Sequence, residues 1–467
     1  MITTKDFSRT SAPSLKNLKP QMPENLSNLW LENVRQAPDA TAIVEGESGR
    51  IWSRAQLQEA AERWQNTLPT SVPLGRRRVA LAETNGPGWL AAFIGLLRVG
   101  AIVVPLDPAE PAEARAATAL AAGVNWLWEN GQLRPIANHP PARRTDFCLV
   151  KLTSGSTGTP RALVFTHAQM IADGRQVCSS MGINPTDLNL GIIPFGHSYA
   201  LGNLIVPLLV QGTAVVTAAS PLPNALAADC ARWKPTVFPA VPTLLRALAQ
   251  ADTEPAALTS LRLVISAGAP LTPEIATTFF AHFGRHIHSF YGSSETGGIC
   301  FDRTGEASLT GRSVGTPMDG VRLQFRRGGR FQVESAAVMG AGRHSPPDRA
   351  ELNATGELVL LGRTGRTAKI GGRRIDLGEI EKLLLATPGV REACAILHPS
   401  RPDAIAAAVA GNIEPAALRP SLRARTALWK IPERLLVLPE LPRNARGKID
   451  RKRLEKLLAD PNPPSNK

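Results

Sequence analysis

The chain has 467 residues, 43% hydrophobic and 20% charged, with a formal net charge of +14, which fits a globular protein of two or three domains with anionic partners. No apolar run approaches the roughly 18 residues of a membrane span, so no transmembrane segment is expected. The five cysteines (Cys148, Cys178, Cys230, Cys300 and Cys394) are far apart and form no Cys-x-x-Cys pair, which excludes a zinc motif or disulfide framework and suits a reducing cytoplasm.

Residues 1–25 are polar and proline-bearing, without the apolar core of a signal peptide. Between residues 26 and 68, Leu, Ala and Trp at helical spacing flank a short strand at 41–44. A strand at 79–82 precedes a helix at 89–98, and a buried strand at 101–106 precedes a helix at 110–121. Residues 147–150 read as a strand, and the β-branched and aromatic run at 161–167 as another. Further strand runs are expected at 204–216 and 261–265. Strands alternating with helices predict an α/β fold with largely parallel sheets. Near Gly362 the texture turns to glycine, arginine and charge, and residues 364–467 hold 20 Lys and Arg against 11 Asp and Glu. Residues 460–467 are proline-rich and expected to be disordered.

The most informative stretch is Thr153-Ser154-Gly155-Ser156-Thr157-Gly158, followed by Thr159-Pro160-Arg161. Glycines let successive backbone N–H groups converge, hydroxyls add adjustable donors, and Arg161 adds a fixed charge. Such a loop suits phosphate oxygens, although composition alone would read it as a flexible turn. A P-loop needs Gly-x4-Gly-Lys-Ser/Thr between a strand and a helix. Here the lysine is missing and the setting is strand–loop–strand, so a P-loop is excluded.

Three further stretches bear on that loop. In Phe290-Tyr291-Gly292-Ser293-Ser294-Glu295-Thr296-Gly297, a carboxylate among hydroxyls suits Mg²⁺ carrying nucleotide phosphates, and taken alone it is equally a solvated loop acid. Residues 362–381 read as a strand, a glycine turn and an acid-started helix. Pro442-Arg443-Asn444-Ala445-Arg446-Gly447-Lys448 sets a lysine in a loop near the C-terminus, which by default is an exposed basic loop.

Together, in this order and spacing, these segments resemble the adenylate-forming enzymes, a family that includes acyl-CoA and aryl-CoA synthetases, peptide-synthetase adenylation domains and luciferases. The resemblance runs from about Leu29 to Leu454. It implies a large N-terminal domain of α/β subdomains, residues 1–362, and a small mobile α+β C-terminal domain, residues 363–467. It also implies a two-step reaction. A carboxylate attacks the α-phosphate of MgATP to give an acyl-adenylate, and a thiol then displaces AMP.

By the same resemblance Thr153, Ser154, Gly155, Ser156, Thr157, Gly158 and Arg161 hold the β- and γ-phosphates. Gly268 and Ala269 lie against adenine, Tyr291 stacks on it, and Gly292 and Ser293 complete the nucleotide contact. Thr296 reaches the AMP phosphate, Glu295 holds Mg²⁺, Arg363 contacts the ribose, and Lys448 is the catalytic lysine. The family's Tyr-Arg-Thr-Gly-Asp string is absent. Counting about fifteen residues back from Arg363 gives Asp348 as the ribose carboxylate, with Glu351 as the alternative. The usual hinge Asp or Lys is replaced by Gly365, and the segment 339–347 is short against the family pattern.

His197, in Pro194-Phe195-Gly196-His197-Ser198-Tyr199, aligns with the gate to the substrate carboxylate; without that context it would read as an ordinary packed histidine. No aspartate stands in this segment to pair a substrate ammonium, so a fatty or aryl acid is expected rather than an α-amino acid. The resemblance implies ATP and Mg²⁺ as cofactors. The thiol is expected in trans, from CoA or from the phosphopantetheine of an acyl carrier protein, since no carrier domain follows. Nucleic acid is not an expected partner, because two tyrosines and no basic run interleaved with aromatics leave little to stack on bases. A degenerate homologue that only binds nucleotide or carrier protein is the alternative.

Overall fold

The computed structural model describes residues 24–69, 71–153, 161–363, 367–370, 373–426, 428–444 and 447–460. Among these, the strands build two large sheets and four small ones, with helices packed on the large sheets. The architecture is α/β, a large N-terminal region followed by a small C-terminal one.

In the six-stranded sheet, Arg78–Ala82 lies between Ile102–Pro105 and Trp126–Glu129 in parallel register. Ile102–Pro105 also runs parallel to Phe147–Thr153, which turns back antiparallel through Arg161–Thr166. These short apolar runs are buried, as parallel strands covered on both faces must be. In the nine-stranded sheet, Leu188–Gly191, Val237–Ala240, Leu263–Ser266 and Ile287–Ser293 run parallel. Its far edge turns antiparallel through Gly297–Phe301.

One helix links the two sheets. His167–Met181 starts at a capping box, with Thr166 and Gln169 each satisfying the other's backbone, and stops at Gly182 in the left-handed region. Its middle is buried because Gly174 lets Val206 of a neighbouring helix approach; a Cβ there would sit 2.3 Å from Val206 Cγ1.

The run at 204–216 departs from its expected strand. Residues Ser198–Ala200, Leu201–Ile205 and Val206–Gln211 form one helical stretch with a π-turn in its middle, and only Ala214–Thr217 is a strand. A continuous apolar run has no period to read, so a buried helix and a buried strand look alike.

Two buried clusters of the C-terminal region draw only on residues from Leu377 onward. They lie on the two faces of the sheet formed by Val390–His398, Arg401–Gly411 and Arg434–Leu438, so this region has a core of its own.

Candidate active site

Several candidate residues, Gly268, Ala269, Tyr291, Glu295 and His197 among them, lie where strands of the nine-stranded sheet end, the usual place for ligands in open α/β sheets. Gly268 and Ala269 follow Ser266 at the end of Leu263–Ser266, and both are exposed. Gly268 needs its glycine: φ is +85°, which leaves a bare backbone edge facing outward. Tyr291, half-buried, lies on the next strand, beyond its parallel pairing.

The hydroxyl of Tyr291 donates to Asp348 Oδ2 at 3.0 Å, across 57 positions of sequence. Asp348 in turn pairs with Arg363 in the hairpin of Asp348–Leu352 and Leu358–Arg363. The count of fifteen residues thus corresponds to a strand register, and Glu351, the alternative, pairs with Val359 further along. Aromatic ring, carboxylate and arginine backbone are held together by the fold itself.

Next to Tyr291 a tight turn carries Glu295. The Ser293 backbone N–H donates to Thr296 Oγ1 at 3.2 Å, and the Thr296 N–H donates to Ser293 Oγ at 3.2 Å. Thr296 is fully buried and its hydroxyl donates to the Gly297 carbonyl at 2.9 Å. Its hydroxyl therefore shapes the turn. Ser294, half-buried, takes the outer position and shares a 3.0 Å hydrogen bond with Ser198 Oγ. Glu295 is half-buried, and its carbonyl accepts from the Met339 N–H at 2.9 Å. The short segment after Val338 is thereby pinned to the turn, and Gln169 Nε2 also donates to the Val338 carbonyl at 2.9 Å.

Behind this turn lies a buried ion pair that motif reading misses. Lys151 Nζ lies 3.5 Å from Asp173 Oδ2, with side-chain exposures of 2% and 4%. Asp173 Oδ1 accepts from the Gly298 N–H at 3.2 Å, at the base of the Glu295 turn. A Cβ on Gly297 would meet that oxygen at 2.2 Å, which explains the glycine. Lys151 also stands over the Phe165 ring at 4.5 Å. Two residues after Lys151 comes Thr153, paired with Arg161 at the base of the hydroxyl–glycine loop. The pair therefore braces both the entry to that loop and the Glu295 turn. Its sequence signal was a lone lysine inside the apolar strand Phe147–Thr153.

His197 is exposed and caps the helical stretch that follows, its Nδ1 accepting from the Tyr199 N–H at 3.2 Å. In the neutral ring the proton then sits on Nε2. Tyr199 is buried, donates to the Ile265 carbonyl at 3.1 Å, and packs its ring 5.9 Å from Phe290. Burial drives its phenol well above the ordinary range, so it acts as a neutral donor. With the Ser198–Ser294 bond, these contacts hold His197 near the Glu295 turn and the strand that carries Phe290.

Lys448 is exposed on a loop of the C-terminal region. Ser154, Gly155, Ser156, Thr157, Gly158 and Gly365 lie outside the described residues, and of Arg363 the backbone alone is described. Among the described residues no cluster of three or more His, Cys, Asp or Glu forms a metal cage. A single half-buried carboxylate such as Glu295 fits Mg²⁺, which takes one or two protein ligands and completes its shell from phosphates and water. The five cysteines are all buried, and burial pushes the Cys178 and Cys230 thiols up to about 12. None is a ready nucleophile. Among the described residues no helix is long and apolar enough to cross a membrane.

An exposed glycine edge, an aromatic ring tied to a carboxylate and a hydroxyl-rich acidic turn thus share one edge of an α/β fold. A model of the AMP-binding enzyme family matches residues 30–128 and 122–326. The chain belongs to this family, the adenylate-forming enzymes. The feruloyl-CoA synthase of an Amycolatopsis species is 27% identical, the match covering 91% of this chain and 97% of that protein. Tyrocidine synthase 3 of Brevibacillus parabrevis is 26% identical over 93% of this chain, which spans 8% of that protein's length. Among solved structures, ATP-bound MatB from Rhodopseudomonas palustris superposes with a TM-score of 0.81 at 21% identity, covering 94% of this chain and 99% of that one.

Proposed function

We propose that the chain joins an uncharged fatty or aryl carboxylic acid to a thiol at the expense of ATP. The acid's carboxylate attacks the α-phosphorus, the bond to the bridging oxygen breaks, and pyrophosphate leaves. A thiolate then attacks the acyl carbon of the adenylate, and AMP leaves with the electron pair of the acyl–oxygen bond. Residues 1–362 carry the first site, and residues 363–467 bring Lys448 and then the thiol channel to it.

The observation that carries this reading is the Tyr291–Asp348 contact beside the Asp348–Arg363 strand pair. Tyr291 offers its ring face to adenine, Asp348 accepts from the ribose hydroxyls, and Arg363 adds a ribose contact. Gly268 and Ala269 give adenine a flat backbone edge, with Gly292 and Ser293 beside it. Ser294 takes the α-phosphate contact expected at Thr296. Thr153, Arg161 and residues 154–158 hold the departing pyrophosphate. Glu295 would hold Mg²⁺, which supplies charge neutralisation at the phosphates. Lys448 offsets charge developing on the α-phosphate and bridging oxygen.

His197 stands at the approach of the acid. Asp173 lies 3.3 Å from a Cβ placed on Gly202, close to the acid-binding helix. Lys151 already neutralises it. Among the described residues Asp173 is thus already paired, which supports an uncharged acid over one that carries an ammonium. The relatives include a CoA synthase and a peptide synthetase, so CoA and carrier-bound phosphopantetheine are both retained as acceptors.

The test is ATP–pyrophosphate exchange with octanoate, benzoate, hydroxycinnamates and amino acids, repeated with CoA and with a phosphopantetheinylated carrier protein. Exchange with a fatty or aryl acid, and none with amino acids, is expected. Absence of exchange across the panel, with ATP binding retained, would favour a nucleotide-binding homologue and sink the ligase reading.

A further inference from the structure

Two arginines from distant parts of the chain meet on one carboxylate. Arg246 lies on the helix Pro242–Gln250, which leaves the end of Val237–Ala240 on the same edge of the nine-stranded sheet as the nucleotide residues. Glu392 lies on Val390–His398 of the C-terminal sheet, where the register shifts. Arg443 opens the lysine loop. Arg246 Nη1 donates to Glu392 Oε1 at 3.2 Å, and Arg443 Nη2 donates to the same oxygen at 2.6 Å. The Glu392 side chain is 16% exposed, so these pairs are screened less than a surface ion pair.

The other arm of Arg443 reaches the lysine. Its Nη1 donates to the carbonyl of Gly447 at 2.6 Å, the residue before Lys448. Asn444 ties the same loop: its N–H donates to the Lys448 carbonyl at 2.8 Å, and its Oδ1 accepts from the Lys448 N–H at 3.1 Å. Arg443 and Ile449 bridge at the base. The Lys448 backbone is thus fixed to Arg443, Arg443 to Glu392, and Glu392 to the large region.

We propose that Glu392 is a positioning residue that, by bridging Arg246 and Arg443, clamps the C-terminal region in the arrangement presenting Lys448 for adenylation and lets go for thiol transfer. The proposal rests on the reading of Lys448 as the adenylation lysine. Glu392 uses one oxygen for both arginines, and its Oε2 is buried without a hydrogen-bond partner among the described residues. A carboxylate held this way is weaker than a bidentate pair. That suits a contact which must open in each turnover.

The experiment uses the full chain with Arg246→Gln, Glu392→Gln and the charge-keeping Arg246→Lys. Spin labels, one on each region, report the distance distribution between them. ATP–pyrophosphate exchange reports adenylation, and thioester formation from supplied benzoyl- or octanoyl-adenylate reports the second step. For the two Gln variants the distribution should broaden and exchange should fall about tenfold, with thioester formation within about twofold of wild type. Arg246→Lys should restore most of the exchange. Unchanged distances in both Gln variants, or an equal fall in both steps, overturns the clamp. If the wild type exchanges with no acid, the ligase reading fails, and the distance distributions alone decide whether Glu392 holds the regions together.

Discussion

His167 opens the helix His167–Met181, and its Nδ1 accepts a hydrogen bond from the Leu26 N–H at 3.2 Å. Burial pushes its pKa down from 6.5 to about 4, against a smaller upward pull from Asp146. The unfolded chain therefore binds more protons than the folded one between those values. Stability contributed by the neutral ring is present above about pH 6.5 and is lost as pH falls towards 4, by roughly 3 kcal/mol at most. His167→Asn keeps an acceptor for Leu26 and cannot titrate. Urea unfolding at pH 7 and pH 4.5 should show a smaller loss for this variant than for wild type, and equal losses would dismiss the assignment. At this scale a count along the sequence can turn into a contact: the fifteen residues from Arg363 back to Asp348 span a strand register. A count says less where two hydroxyls lie close together. Spacing cannot tell which of Ser294 and Thr296 turns inward, because the reciprocal Ser293–Thr296 bonds that decide it form only in the folded turn.

Lys151 and Asp173 connect three elements: the strand Phe147–Thr153, the helix His167–Met181 and the strand Gly297–Phe301. Neither residue belongs to a motif, and partners 22 positions apart on different elements have no period to reveal them. Buried pairs are costly to break from one side, because the remaining charge keeps its desolvation penalty without its partner. Asp173→Asn should destabilise the fold by about 3–5 kcal/mol in chemical denaturation. Joint replacement by Lys151→Met and Asp173→Leu should cost clearly less, since no charge is left behind. If the double variant is the worse of the two, the pair supplies net stability and the bracing account needs revision. The alternating strand and helix pattern between residues 26 and 121 was legible because its apolar runs are short and punctuated, whereas the strands Trp126–Glu129 and Gln132–Pro135 went unread. The stretch Ser198–Gln211 was not legible, because every residue from Tyr199 to Leu209 is buried and the sequence offers no face to read.

The C-terminal region has its own core, and the chain reaches it through a short crossing. Leu358–Arg363 pairs with Asp348–Leu352, whereas Thr367–Ile370 pairs with Arg373–Asp376. Between them lie residues 364–366, outside the described residues, with Gly365 where the sequence resemblance puts the hinge. A glycine there eases a large change of φ and ψ without charge to steady either end state. Contacts elsewhere must then set the preference, and the Arg246–Glu392–Arg443 cluster is placed to do so. Gly365→Pro would fix φ near −65° and hold one arrangement. ATP–pyrophosphate exchange should survive in this variant and thioester formation should be lost, the reverse of the pattern expected for Glu392→Gln. The opposition matters because a merely unstable protein would lose both steps together. Normal overall turnover by Gly365→Pro would mean that the rotation does not pass through residue 365. The bend would then have to lie on either side of it, in Leu358–Arg363 or Thr367–Ile370.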